Sequence, residues 1–165
     1  MANNYTQFSE IIKDLTDEEI AWVGSIPQEL NFSDDEKYVG DSWVAPFREA
    51  LNAHGIQVDA DDKVFDDDFF PRFEYEINSE RRQWWLFSQE DYEEDHLVRV
   101  MQAFLAKFRP DYIFKLTLAE TCSRPRVGEF GGAWLVLTKD HYLCGNTWLA
   151  ADDAVKRLQM GDVTE

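Results

Sequence analysis

Between Phe73 and Ser88 the chain carries two segments joined by a short polar stretch. Phe73, Tyr75 and Ile77 alternate with Glu74 and Glu76, the period of two of a half-buried strand. Asn78 to Arg82 then supplies a turn, and Gln83-Trp84-Trp85-Leu86-Phe87-Ser88 returns as a strand apolar enough to be central in its sheet. A hairpin at this point commits the chain to antiparallel pairing. The later segments agree. Tyr112 to Ala119 alternates again, with Tyr112, Phe114, Leu116 and Leu118 on one side, and Ala133 to Thr138 and Tyr142 to Cys144 form a hairpin turning at Lys139-Asp140.

Helices are expected in four places. Leu15-Thr16-Asp17-Glu18-Glu19-Ile20 combines a capping box, Thr16 with Glu19, and a hydrophobic staple between Leu15 and Ile20; Pro27 limits that helix. A second helix begins near Pro46, with Phe47, Ala50 and Leu51 on one face and Gly55 just past its end. The clearest one puts Leu97, Met101, Phe104, Leu105 and Phe108 on one face, with Glu90 to Asp95 at its start, Lys107 and Arg109 at its end, and Pro110 beyond. A last helix starts near Asn146 or Thr147, has Asp152 and Asp153 early and Lys156 and Arg157 late, and should end at Gly161. The expected fold is α+β over a single domain, residues 1–165: a mainly antiparallel sheet with helices packed on one face, preceded by short N-terminal helices.

Charge bounds the function. The chain has 33 Asp plus Glu against 16 Lys plus Arg, a formal net charge of -17, together with 12 Phe, 6 Trp and 6 Tyr. The aromatic residues suffice for a core, so the surplus charge belongs to a folded surface. Its field favours basic proteins and cations, and it opposes direct contact with nucleic acid or an anionic membrane. Residues 59–95 hold fourteen acids against Lys63, Arg72, Arg81 and Arg82. The expected binding residues are therefore Asp59, Asp61, Asp62, Asp66, Asp67 and Asp68 in the acidic loop, and Glu90, Asp91, Glu93, Glu94 and Asp95 before the long helix. Such a face can occupy a basic groove of another protein by imitating phosphate charge, the action of a nucleic-acid-mimicking inhibitor; it can also simply solvate an acidic housekeeping domain.

The segment Glu120-Thr121-Cys122-Ser123-Arg124-Pro125-Arg126-Val127-Gly128-Glu129-Phe130-Gly131-Gly132 is the other concentration of chemistry: a thiol, two hydroxyls, two guanidiniums and two carboxylates between two strands. Arg124 and Arg126 are set with the binding residues, although in so acidic a chain a structural pairing with nearby carboxylates such as Glu120 or Glu129 is the simpler account of them. Cys122 as a nucleophile would need a base, and His141 is the nearest in the expected sheet. An enzyme with its site in this loop is the alternative function. His141 and Cys144 make one H-x-x-C arm, which lacks the paired spacing of a zinc site, and the acidic loop has Val64 and Phe70 where a calcium loop wants Gly and Glu. No cofactor or metal is expected. The N-terminus has no basic stretch followed by an apolar core, and no apolar run is long enough to span a bilayer, so the expected setting is the cytoplasm with Cys122 and Cys144 reduced.

The stretch from Phe73 through Thr138, with its Trp-Leu-x-Ser strand, its Phe-Leu-x-x-Phe-x-Pro helix end and the loop Glu120 to Gly132, resembles a family of small bacterial or mobile-element proteins. Asn4-Tyr5-x-x-Phe8-Ser9-Glu10 and Leu15-Thr16-x-x-Glu19 extend the resemblance more loosely. It implies a single domain and assigns no catalytic residue.

Overall fold

The computed structural model describes residues 3–33, 35–38, 40–59, 69–124 and 129–160. Six strands form one antiparallel sheet in the order β2-β3-β1-β4-β5-β6, made of β1 (Asn4–Ile12), β2 (Glu74–Asn78), β3 (Gln83–Ser88), β4 (Phe114–Cys122), β5 (Gly131–Leu137) and β6 (Tyr142–Asn146). The α+β class and the helices on one face stand as expected. The start of the chain does not. Residues 4–12 are a strand and not a prelude to short helices, and that strand lies mid-sheet, pairing Phe8 with Ser88 on one side and Asn4 with Cys122 on the other.

The register sorts the side chains. Ile12, Trp84, Leu86, Phe114, Leu116, Leu135 and Leu137 all face inward and are at most 1% exposed. Over them lie α1 (Asp17–Gly24), α3 (Val44–His54) and α4 (Glu94–Phe108); a short turn α2 (Leu30–Ser33) and a 3₁₀ turn Gly40–Trp43 lead into α3. The stripe expected on α4 is the one buried, with Leu97, Met101, Phe104 and Leu105 wholly covered. Phe104 meets Trp84 edge to face at 5.3 Å and Trp22 of α1 at 5.9 Å, so a single aromatic cluster joins sheet and helices. Rings in such geometry add about 1 kcal/mol per pair beyond their burial.

Local devices set the element ends. Thr16 Oγ1 accepts from Glu19 N–H at 3.1 Å while Glu19 Oε2 accepts from Thr16 N–H at 2.6 Å, the reciprocal capping box of α1. Gly55 at φ 96° closes α3 in the left-handed conformation. The β2–β3 turn is pinned to the start of α1: Leu15 N–H donates to Arg82 O at 3.1 Å, and the Arg82 side chain bonds Leu15 O and pairs with Asp17 at 3.0 Å. β4 begins at Phe114, two residues later than the alternation suggests, and continues to Cys122; Tyr112 stays outside it and exposed. The final helix, α5 (Thr147–Gln159), starts where expected; Gly161 lies outside the described residues.

Candidate functional site

Of the acidic loop only Asp59 is described, and it is exposed; Asp61, Asp62, Asp66, Asp67 and Asp68 lie outside the described residues, as does Arg126. Glu90 to Asp95 form the link from β3 into α4. Here the backbone is tightly held: Thr6 N–H donates to Glu90 O at 2.6 Å, Ser88 Oγ to Asp91 O at 2.6 Å, and Glu93 N–H to Arg72 O at 2.9 Å. Asp91 pairs with Arg72 at 2.5 Å. Glu94 and Asp95 open the first turn of α4, where carboxylates complement the exposed N–H groups. They also face β6. Burial, then the charge of Glu94, pushes the Cys144 thiol up, and burial, then Asp95 and Glu94, raises the Tyr142 phenol. Part of this acidic run thus sits at the helix start and packs toward β6 as well as lining the surface, and the N-cap residue Glu93 makes no side-chain capping hydrogen bond.

The loop after β4 divides. Cys122 is buried and its thiol donates to Glu129 Oε2 at 2.8 Å, while Arg124 is exposed. A hollow of ≈ 330 Å³ lies nearby, lined among others by Asn4, Thr6, Glu120, Glu129 and Trp148. Gly131 lets three polar groups converge, since a Cβ there would sit 2.8 Å from Glu120 Oε2, 2.9 Å from Trp148 Nε1 and 3.2 Å from Thr147 Oγ1. The pairing of Cys122 with His141 does not hold. Leu137 pairs with both Phe114 and Tyr142, so His141 sits at the Phe114 end of β4, eight residues from Cys122 at the other end. At about 3.3 Å per residue that is roughly 26 Å, far beyond proton transfer. Among the described residues, no three His, Cys, Asp or Glu side chains are grouped to hold a metal ion.

The feature that sequence reasoning missed is the second face of the sheet. Helices cover the inward side chains at the middle of the sheet but not Tyr142 and Cys144 on β6, and the outward set across the register is Glu74 and Glu76, Trp85 and Phe87, Ser9 and Ile11, Lys115 and Thr117, Trp134 and Val136, Leu143 and Gly145. Several are large and open: Trp85 is 36% exposed, Trp134 42% and Leu143 70%. Their rings are held in place. Trp85 stacks on Phe87 at 4.2 Å and 24° and donates from Nε1 to Ser9 Oγ at 2.9 Å. Trp134 lies flat over Gly145, where a Cβ would come within 2.7 Å of its Cζ2. Glu76 and Glu74 stand directly beside Trp85 and Phe87 on the next strand. The available signal is the consecutive Trp84 and Trp85: a strand sends neighbours to opposite faces, so one has to point away from the core.

Comparison of the chain with known protein families, with curated proteins and with solved structures found no match. The resemblance noted over residues 73–138 therefore assigns no role, and function is argued from the chain's own surfaces. Among the described residues, no helix is long and apolar enough to cross a membrane.

Proposed function

We propose that this protein binds a basic protein surface, and that the open face of the sheet is where it does so. The observation that carries the reading is a set of oriented aromatic residues on the outward face of the sheet, exposed Trp85 stacked on half-buried Phe87 and exposed Trp134 on Gly145, while the buried core lies on the opposite face. Exposed aromatic residues on a folded surface are candidate anchors for binding, Trp being among the residue types most enriched where binding energy concentrates; on this face Ser9, Lys115 and Thr117 separate Trp85 and Phe87 from Trp134. The sign of the partner comes from charge. Glu74 and Glu76 border the Trp85 patch, and the net charge of -17 draws basic surfaces in while repelling phosphate. Exposed rings could otherwise stack bases, but single-strand binding needs a positive groove to track the backbone. A protein that itself binds nucleic acid presents a basic surface of the required sign, so occupation of that surface, and inhibition by it, is the expected consequence.

The test uses three forms of the full chain: the natural sequence, Trp85→Ala with Trp134→Ala, and Glu74→Gln with Glu76→Gln. Each is immobilised and exposed to cell lysate at low salt, and the kinetics of any retained basic protein are then measured across salt concentrations. The aromatic variant should weaken binding by about tenfold or more, chiefly through faster dissociation, and the Gln variant should slow association. Retention of no basic protein by the natural sequence, or equal affinity for all three forms, refutes the proposal.

A further inference from the structure

β6 is the last strand of the sheet, and among the described residues no strand pairs with its outer edge. The ladder to β5 decides which of its backbone groups are spare. Thr138 N–H donates to His141 O at 2.8 Å, so in the same register Val136 with Leu143 and Trp134 with Gly145 are the hydrogen-bonded pairs. Gly132 keeps the same phase: its N–H points to the β6 side and donates to Thr147 Oγ1 at 3.1 Å. The alternate residues Tyr142 and Cys144 therefore aim N–H and C=O away from β5. Both are exposed, as is Leu143 between them. Folded proteins blunt such an edge with charge, proline or a bulge. At the opposite end of the sheet, β2 carries Glu74 and Glu76. Tyr142-Leu143-Cys144-Gly145-Asn146 has neither charge nor proline, and its register with β5 runs without a bulge.

We infer that the β6 edge takes up an extended segment of the basic partner as an additional strand, one in which basic and apolar side chains alternate. The inference rests on the reading of a basic partner given above and names how that partner docks. The alternation comes from the two faces beside the edge. On the outward side stand Leu143 and, flat over Gly145, the Trp134 ring, which offer apolar contact. On the inward side Tyr142 and Cys144 lie against Glu94 and Asp95 at the start of α4, and the Cys144 thiol hydrogen-bonds the Glu94 carboxylate. Among the described residues neither acid is in an ion pair. The two nearby cations are engaged, Lys139 with Asp140 at 2.5 Å and Arg99 with Gln57 O at 2.7 Å. Successive residues of a strand point to opposite faces, so every second residue of the incoming segment meets carboxylate, and those between meet Leu143 and Trp134. Main-chain bonds to Tyr142 and Cys144 hold the segment, and its side chains select it. A second copy of the chain is the poorer occupant. Two chains of net charge -17 repel, and β6 joined to β6 about a two-fold axis brings Glu94 and Asp95 of each to the same side of the joined sheet.

The probe is a capped synthetic peptide of alternating lysine and valine, about eight residues long, within the usual length of a strand. It is titrated into the full chain up to ~1 mM while amide hydrogen exchange is followed by NMR. Binding should slow exchange at Tyr142 and Cys144 by about tenfold or more, and change Leu143 and Gly145, already bonded to β5, far less. A peptide of the same composition with its lysines and valines grouped should bind at least about tenfold more weakly. Cys144→Pro removes one outward N–H at an edge position that proline tolerates, and should weaken the alternating peptide by about tenfold. Glu94→Gln with Asp95→Asn should weaken it and flatten its salt dependence. The exchange pattern of the natural chain stands apart from any variant's folding. No binding of the alternating peptide, protection confined to other amides, or equal affinity for the grouped peptide overturns the inference. So does a dimer in sedimentation that Cys144→Pro disperses while no peptide binds, which makes a second copy the occupant. The two readings fail separately. If a basic protein from lysate binds Cys144→Pro as tightly as the natural chain, only the edge inference is lost; if the peptide binds as expected and lysate yields no basic protein, only the earlier reading is lost.

Discussion

Replacing Arg109 by Met isolates the ion pair that ties α1 to the end of α4. Glu19 is 3% exposed, and Arg109 grips it with both arms, Nε to Oε1 at 2.6 Å and Nη2 to Oε2 at 3.1 Å, while Nη2 also donates to Lys13 O and Asp14 O at 3.1 Å. Removing one member of a buried pair costs about 3–5 kcal/mol. Water reaches the 21% exposed Arg109 side chain and the Thr16 N–H still serves the carboxylate, so we expect ~2–3 kcal/mol here. For a domain of this size that lowers Tm by roughly 5–10 °C. The pH dependence carries the sign. Burial pushes the Glu19 carboxyl up, but Arg109 and the Thr16 N–H outweigh it and hold the group below its ordinary 4.5. A depressed value in the folded state contributes stability above pH 4.5 that is lost as the pH falls through the folded value. Without Arg109 burial dominates and the variant favours the protonated acid, so its deficit should shrink between neutral pH and pH 4.5. Glu19→Gln with Arg109→Met should recover more than half of the loss, because no buried charge is left behind. The assay is chemical denaturation at several pH values. A deficit below about 1 kcal/mol, or one that ignores pH, refutes the reasoning.

Phe104→Ala removes the ring on which Trp22, Trp84 and Phe108 converge, at a fully buried site, and should cost about 3–5 kcal/mol, read as a lower urea midpoint with an unchanged slope. The two thiols should separate kinetically: exposed Cys144 reacts with a disulfide reagent in the native protein, and buried Cys122, bonded to Glu129, reacts only on unfolding. Because burial and Glu94 raise the Cys144 thiol, its rate should climb with pH through the alkaline range, and Glu94→Gln should accelerate it at neutral pH; rates unaffected by that change would deny the contact.

Much of the fold is legible because local devices and tertiary packing ask for the same thing. Thr16 with Glu19, Gly55, and the Leu97 to Phe104 stripe each announce their structure in a few residues. β1 does not. Its two buried residues, Phe8 and Ile12, stand four apart, a helical spacing, while Glu10 points inward between them and Ile11 points out to the open face. What makes it a strand is pairing on both sides with chain some 75 and 115 residues away, which no local pattern encodes. The open face is hidden for a related reason. Alternation tells which residues of β2 and β4 point inward, but not whether anything covers the others, and the apolar run of β3 suggests a strand covered on both faces. Cys122 and His141 look close because only β5 separates their strands; the register puts them at opposite ends.

The position of β1 has a consequence for how the chain is made. The β2–β3 hairpin and the β4–β5–β6 meander each have neighbours close in sequence, and they join into one sheet only where residues 4–12 slot between them. On a ribosome, where synthesis runs at about 5–20 residues per second, that strand emerges many seconds before residue 122 completes its second partner. Once residue 88 is made the β3 side of β1 can fill, but until β4 is complete its other side is an unsatisfied edge, able to pair with another nascent chain. Closing contacts at such separation is slow, so pairing at the middle of the sheet is expected to lag the local hairpins. The chain's surplus of negative charge then acts earlier than any encounter with a partner, keeping half-made copies apart while the middle of the sheet waits to be filled.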